Sequence, residues 1–315
     1  MKSASADFMK GRCVKSAWAV FIPLLLFLSV VFAHPLPIYS RTLQVFERQD
    51  VRVMVDASFK GAVEEVFDLY PGVKADLEAG LGLEVDFTPS VLLINDTRTF
   101  REMAGGDFVV AFAVPKENLM VIDYSRATLN PFSLRVIVKH ELCHLLLHHY
   151  LEGHRIPRWF EEGIAQWSSE GIGEMLMDSK KPRLNEAVLA GKIIPLREIS
   201  DFFPADRESL SLAYEQSLSF VSYLVDRCGL EGILQVLEAV RKGYTWEEAV
   251  RGAMGASSLD LEAGWRSHLK KRLTWFTYLV NNLYQILFFL AAVASIIGFV
   301  RAYLRKRAYL REMEE

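Results

Sequence analysis

The sequence has little that would cross-link it covalently or draw it to nucleic acid. Its 315 residues include three cysteines, Cys13, Cys143 and Cys228. That is too few for a disulfide framework. Cys13 precedes the first apolar run, and Cys143 and Cys228 fall inside helical patterns, where a small buried hydrophobe is the simpler role. Positive charge is not in excess: 36 Lys and Arg stand against 39 Asp and Glu, a formal net charge of −3. Nucleic acid is therefore excluded as the main partner. Internal repeats and low-complexity segments are also missing. Charge is absent altogether from two stretches, residues 17–33 and 273–300.

Those two uncharged stretches organise the chain. The first follows Lys2, Lys10, Arg12 and Lys15 and ends in Val31-Phe32-Ala33 before His34. A basic lead, an apolar run and small residues at its end are the pattern of an export signal, with cleavage after Ala33. An uncleaved anchor is the alternative, against which stand the shortness of the run and Pro23 within it. The second stretch is as long as a bilayer requires. Trp275, Phe276, Tyr278 and Tyr284 lie near its start, where amphipathic rings favour the membrane interface. Arg301, Arg305, Lys306, Arg307 and Arg311 follow it as a basic tail. Arg266, Lys270, Lys271 and Arg272 make the other flank basic too, so orientation rests on the export signal. The expectation is a chain held in a membrane, a bacterial inner membrane, with its bulk on the extracytoplasmic side.

Between the ends, hydrophobic spacing divides the chain in two. Residues 51–57 alternate as a strand, and residues 60–80 have helical spacing with Gly80 as a stop. Val91–Asn95 reads as a strand and Thr97–Met103 as a helix before the Gly105-Gly106 break. Phe108–Val114 and Leu119–Asp123 read as strands joined across residues 115–118 in a hairpin. From Asn130 onward the pattern is helical. Asn130 and Pro131 suit a helix start, and this helix runs to Gly153. Pro157 opens a helix over Arg158–Ser169, and Ser209–Arg227 is a helix ended by Gly229. Thr245 and Glu248 form a capping-box pattern, and Leu259–Leu273 leads toward the membrane. The expected fold class is α+β: a small mixed β-layer lobe over 34–129, a mostly helical lobe over 130–272, a transmembrane helix over 273–300 and a tail over 301–315.

The chemistry is concentrated in His140-Glu141-Leu142-Cys143-His144. Residues four apart share a helix face, so both imidazoles can reach one ion. Zinc accepts neutral imidazole nitrogen and tolerates several geometries. A carboxylate beside the first ligand can take a proton from an attacking water. The next helix brings more carboxylate, in Pro157-Arg158-Trp159-Phe160-Glu161-Glu162-Gly163-Ile164-Ala165. Arg135 and Lys139 on the motif helix argue against placing that helix inside a bilayer.

HELCH followed by PRWFEEGIA resembles the gluzincin clan of zinc peptidases, in particular the small peptidase MA-like proteins. The likeness covers about Asn130 to Leu273, and the first hundred residues match only in general layout. It implies one zinc ion held by His140, His144 and Glu162, the Glu directly before Gly, with Glu141 as general base. The neighbouring Glu161 is the alternative third ligand. Gly163 and Ala165 are small, which would let the second helix pack closely on the first. Clan members often stabilise the oxyanion with a Tyr or His, and Tyr214 is the candidate here; plain packing in the helical core is its other reading. Gln166, one turn after Glu162, is placed to orient a ligand histidine through its amide oxygen. The metzincin pattern fails, because Leu147 and Tyr150 stand where Gly and a third His are needed. His148, His149 and His154 read as helix-end residues.

The resulting expectation is a membrane-tethered zinc metallopeptidase in which a zinc-bound water attacks the peptide bond and Glu141 takes its proton. An extended peptide would lie along Leu119–Asp123 or Phe108–Val114. The substrate would be an exported or membrane-associated peptide or protein. No GxMEN motif lies upstream of the histidines, which favours an endopeptidase over an aminopeptidase. The alternative from another class is a membrane-anchored binding or assembly protein with a vestigial or structural zinc site. Glu141 argues against it, since a structural site has no use for a base.

Overall fold

The computed structural model describes residues 43–56, 59–106, 109–129, 133–169, 183–273, 279–280 and 282–312. The export signal, the Asn130-Pro131 helix start and the end of the basic tail lie outside the described residues.

The strand β1 (Leu43–Arg48) was not expected from the sequence, whereas β2 (Val51–Asp56) follows its alternation, with Val51, Val53 and Val55 buried. Helix α1 (Gly61–Leu81) buries Val63, Val66, Phe67, Tyr70, Val73 and Leu77. It runs through Gly80 and stops at Gly82, which takes the left-handed conformation (φ 67°) and donates its N–H to the Glu78 carbonyl. Helical periodicity carries on to Leu81, so the second glycine terminates the helix and the first is an ordinary helical residue.

Strands β3 (Ser90–Ile94), β4 (Ala111–Val114) and β5 (Leu119–Asp123) complete a five-stranded sheet in the order β1-β2-β3-β5-β4. β2 and β3 are parallel, as are β3 and β5, while β4 and β5 form the expected antiparallel hairpin. The 3-10 turn Pro115–Glu117 joins them, closed by Asn118 in the left-handed region. β5 is interior, so of the two strands considered for a peptide only β4 has an open edge among the described residues.

Side-chain alternation gives the sheet two apolar faces. Val53, Val55, Val91, Leu93, Met120 and Ile122 join the main core. Leu92, Ile94 and Val121 meet Phe100 of α2 (Thr97–Ala104), whose start is capped by the Asp96 carboxylate.

A short helix α3 (Tyr124–Ala127) leads to α4 (Leu134–Tyr150). Within the described residues α4 begins at Leu134, behind the extended Ser133. Helix α5 (Arg158–Ser169) packs on α4, and α6 (Arg183–Ala190) is an addition to the expected elements. α7 (Arg207–Arg241) is interrupted at Gly229 (φ 69°, ψ 171°), so the expected stop is a kink between two helices. α8 (Trp246–Met254) carries the Thr245–Glu248 capping box, and α9 (Ser258–Arg272) carries a second one from Ser257 and Asp260. The fold is therefore α+β: a small N-terminal sheet followed by a mostly helical remainder. The last helix, α10 (Leu283–Glu312), contains residues 283–307, which are long and apolar enough to cross a membrane.

Candidate metal centre

Helix α4 delivers three polar side chains into an apolar surround. Leu142, Leu145 and Leu146 bury the helix, yet His140 is 1% exposed and Glu141 2%. Burial of that kind is costly unless the groups find partners. Nε2 of His140 and Nε2 of His144 lie 3.1 Å apart. α5 lies against this helix and contributes Glu162, whose Oε2 is 3.6 Å from each of the two nitrogens. That oxygen is buried and has no hydrogen-bond partner among the described residues.

Three donors in this arrangement fit a metal ion. Zinc bonds of ~2.0–2.1 Å in a tetrahedral shell set ligand atoms about 3.3–3.4 Å apart. The observed separations, 3.1, 3.6 and 3.6 Å, straddle that spacing. All three residues offer an atom within 4.8 Å of the others, and the donor set of two imidazoles and a carboxylate suits a borderline-soft divalent ion.

The charges are consistent with the same reading. Burial opposes charge on His144, but the Glu162 and Glu161 carboxylates together outweigh it and hold the imidazole well above its ordinary value. Burial likewise opposes charge on Glu162, but His144 and His140 together outweigh it and the carboxyl sits far below the usual range. His140 is pushed down by burial. Burial pushes the Glu141 carboxyl up to about 8; a nearby divalent cation favours its ionised form. His144 and Glu162 thus favour each other's charged forms, the kind of coupling expected where buried donors converge on one point.

The other expected residues fall around this centre. Glu161, the alternative ligand, faces away from it and places Oε1 2.9 Å from Nδ1 of His144. Tyr214 is buried, neighbours Arg158, Glu162 and Glu141, and packs edge-on against Phe203 at 5.0 Å. Its phenol is pushed up by burial and then by Glu162. Gln166 does not orient a histidine: its amide nitrogen donates to the Glu162 and Tyr214 carbonyls, at 3.1 and 3.2 Å, and its oxygen is left without a partner. Both partners are acceptors, which fixes the orientation of the amide. Gly163 is tight against α7, not α4. His149 stacks on Phe87 at 4.4 Å, and His154 Nδ1 lies 3.0 Å from the Leu151 carbonyl, so both belong to the helix end.

Arg158 escaped the sequence reading. Its guanidinium lies 3.5 Å from Oε1 of Glu162 and 5.1 Å from the centre of the Phe203 ring. The i,i+4 spacing of Arg158 and Glu162 on one helix was the signal that could have found it.

The family model described as the Peptidase MA superfamily matches residues 94–271. The chain belongs to the Peptidase MA superfamily. The match covers more than half of the chain, from the end of β3 to the end of α9, and takes in α4, α5 and Tyr214. It reaches further upstream than the likeness read from the motifs, so the β4–β5 hairpin is part of the Peptidase MA region. Members are typically metal-dependent peptidases, for which a His-His-Glu cluster is apt. A search of curated proteins finds no match.

Proposed function

We propose that the protein is a membrane-tethered zinc metallopeptidase of the gluzincin type, cutting within peptide chains. The observation that carries this reading is the buried, unpartnered Oε2 of Glu162, aimed at Nε2 of both His140 and His144. His140, His144 and Glu162 would hold one zinc ion. When bound, zinc would polarise the scissile carbonyl and acidify the attacking water.

The rest falls to the chain's own side chains. Glu141 takes the proton from the water and returns it to the leaving amine. Tyr214 donates its phenolic hydrogen to the oxygen on which negative charge develops. Arg158 balances the outer oxygen of Glu162 and holds Tyr214 nearby. An extended peptide pairs with the open edge of β4, the strand that packs beside α4. The span in α10 keeps the domain at the membrane, facing the extracytoplasmic side, and substrates are exported or membrane-associated proteins.

The test is the full chain in detergent micelles, with a Glu141→Gln version beside it. Both are loaded with zinc and given a denatured mixed-protein library, and new termini are mapped by mass spectrometry. New internal termini from the wild type alone would support the reading. Identical maps from two versions that each hold one zinc would sink it and leave a metal-holding binding protein.

A further inference from the structure

We propose that Glu161 is a positioning residue that fixes His144 for the metal, making His144 the anchored imidazole of the pair and His140 the free one. The inference rests on the metal-site reading above. Glu161 and Glu162 are consecutive on α5, so their side chains diverge by about 100° around the helix. Glu162 turns inward, with its side chain 9% exposed, while Glu161 stays at the rim, 34% exposed. Between them stands the His144 ring. Its Nε2 faces His140 and Glu162, and its Nδ1 faces Glu161 Oε1 at 2.9 Å.

An ionised carboxylate only accepts hydrogen bonds, so Nδ1 of His144 must carry the hydrogen. This leaves the Nε2 lone pair for the centre and sets the plane of the ring. A charge-assisted bond of this length is among the stronger ones a side chain makes. His140 has no counterpart: its Nδ1 is buried and has no hydrogen-bond partner among the described residues. The two imidazoles are thus held unequally at Nδ1, His144 by a carboxylate and His140 by no partner among the described residues. Outer partners of this kind typically change metal affinity by about 10- to 100-fold.

The experiment uses the full chain in detergent micelles, stripped of metal and titrated with zinc against a chromophoric chelator. Glu161→Ala is expected to bind zinc about 10- to 100-fold more weakly. Glu161→Gln keeps an accepting oxygen and is expected to regain most of that loss. Cobalt(II) loading gives a second readout: the d–d bands should change in Glu161→Ala and return in Glu161→Gln. Far-UV circular dichroism checks the fold, and the near-isosteric Gln variant keeps the test open should the Ala variant misfold. Wild-type affinity in Glu161→Ala overturns the proposal, as does a Gln variant no better than Ala. Loss of all zinc in Glu161→Ala with zinc retained in Glu162→Ala also overturns it and makes Glu161 the ligand. A wild type that binds no zinc at all overturns the metal-site reading itself.

Discussion

A Cβ placed on Gly163 would stand 2.5 Å from the carbonyl oxygen of Ser217. It would also meet Val221 Cγ2 at 2.4 Å. Gly163 follows Glu162 directly, so the contact that seats α5 on α7 also sets the position of the carboxylate. Alanine is the better helix former by about 1 kcal/mol, yet a backbone carbonyl cannot rotate aside as a side chain can. Overpacking of this kind costs about 1–3 kcal/mol. Gly163→Ala is therefore expected to lower the melting temperature and to weaken zinc binding together. A variant more stable than the wild type, by thermal denaturation, would contradict the close approach.

Tyr214 offers a cleaner separation of binding from chemistry. Its ring packs on Phe203, so Tyr214→Phe keeps the apolar contact and removes only the hydroxyl. If that hydroxyl donates to the developing oxyanion, kcat should fall about 100- to 1,000-fold with KM and zinc content little changed. Steady-state kinetics on a peptide found by terminus mapping decides it. A kcat within a factor of two of wild type would return Tyr214 to a packing role.

Acid stability has an identifiable contributor far from the ligands. Hydrogen bonds from Arg241, then Tyr150 and Lys242, hold the Glu238 carboxyl down at about 2. A carboxyl whose folded value is depressed stabilises the native state above its unfolded value, ~4.3, and that contribution is lost as pH falls toward the folded one. Glu238→Gln should therefore lower the melting temperature at neutral pH and flatten its decline between about pH 5 and pH 2. Parallel acid limbs in the two proteins, followed by circular dichroism, would remove Glu238 from the account.

Membrane attachment is tested by deleting residues 283–312. With α10 gone, carbonate extraction should move the chain to the soluble fraction while it keeps its zinc. Retention in the pellet would shift the anchor to the N-terminal apolar run.

What was legible in the sequence was local. The His-Glu-x-x-His spacing lies within one helix, and the Thr245–Glu248 box is complete within four residues. The β4–β5 hairpin could be read because a turn separates two short apolar runs. Contacts across long separations could not. Nothing near Gly163 signals Ser217 or Val221, so its smallness was assigned to the preceding helix. Gln166 was expected to face a histidine, but it bonds a carbonyl 48 residues later. Glu161 and Glu162 are the same residue type side by side, told apart in the sequence only by the resemblance, whereas the turn of α5 sends Glu162 toward the two Nε2 atoms and Glu161 to Nδ1 of His144. Gly80 and Gly82 present the same ambiguity, settled by where the apolar stripe ends.

The kinked helix α7 bears on how the protein matures. Its first half receives the Gln166 amide at Tyr214, and its second half bonds Tyr150, at the end of α4, through Glu238 across 88 residues. His140, His144 and Glu162 are all translated before α7 exists. A ribosome-bound chain that has just passed Ser169 holds every donor but neither brace, and contacts across such separations generally cost more to close than local ones. Unlike a zinc finger, where the ion organises an otherwise unfolded peptide, the metal centre proposed here would be complete only once α7 has closed on α5, so the ion would meet a nearly finished protein.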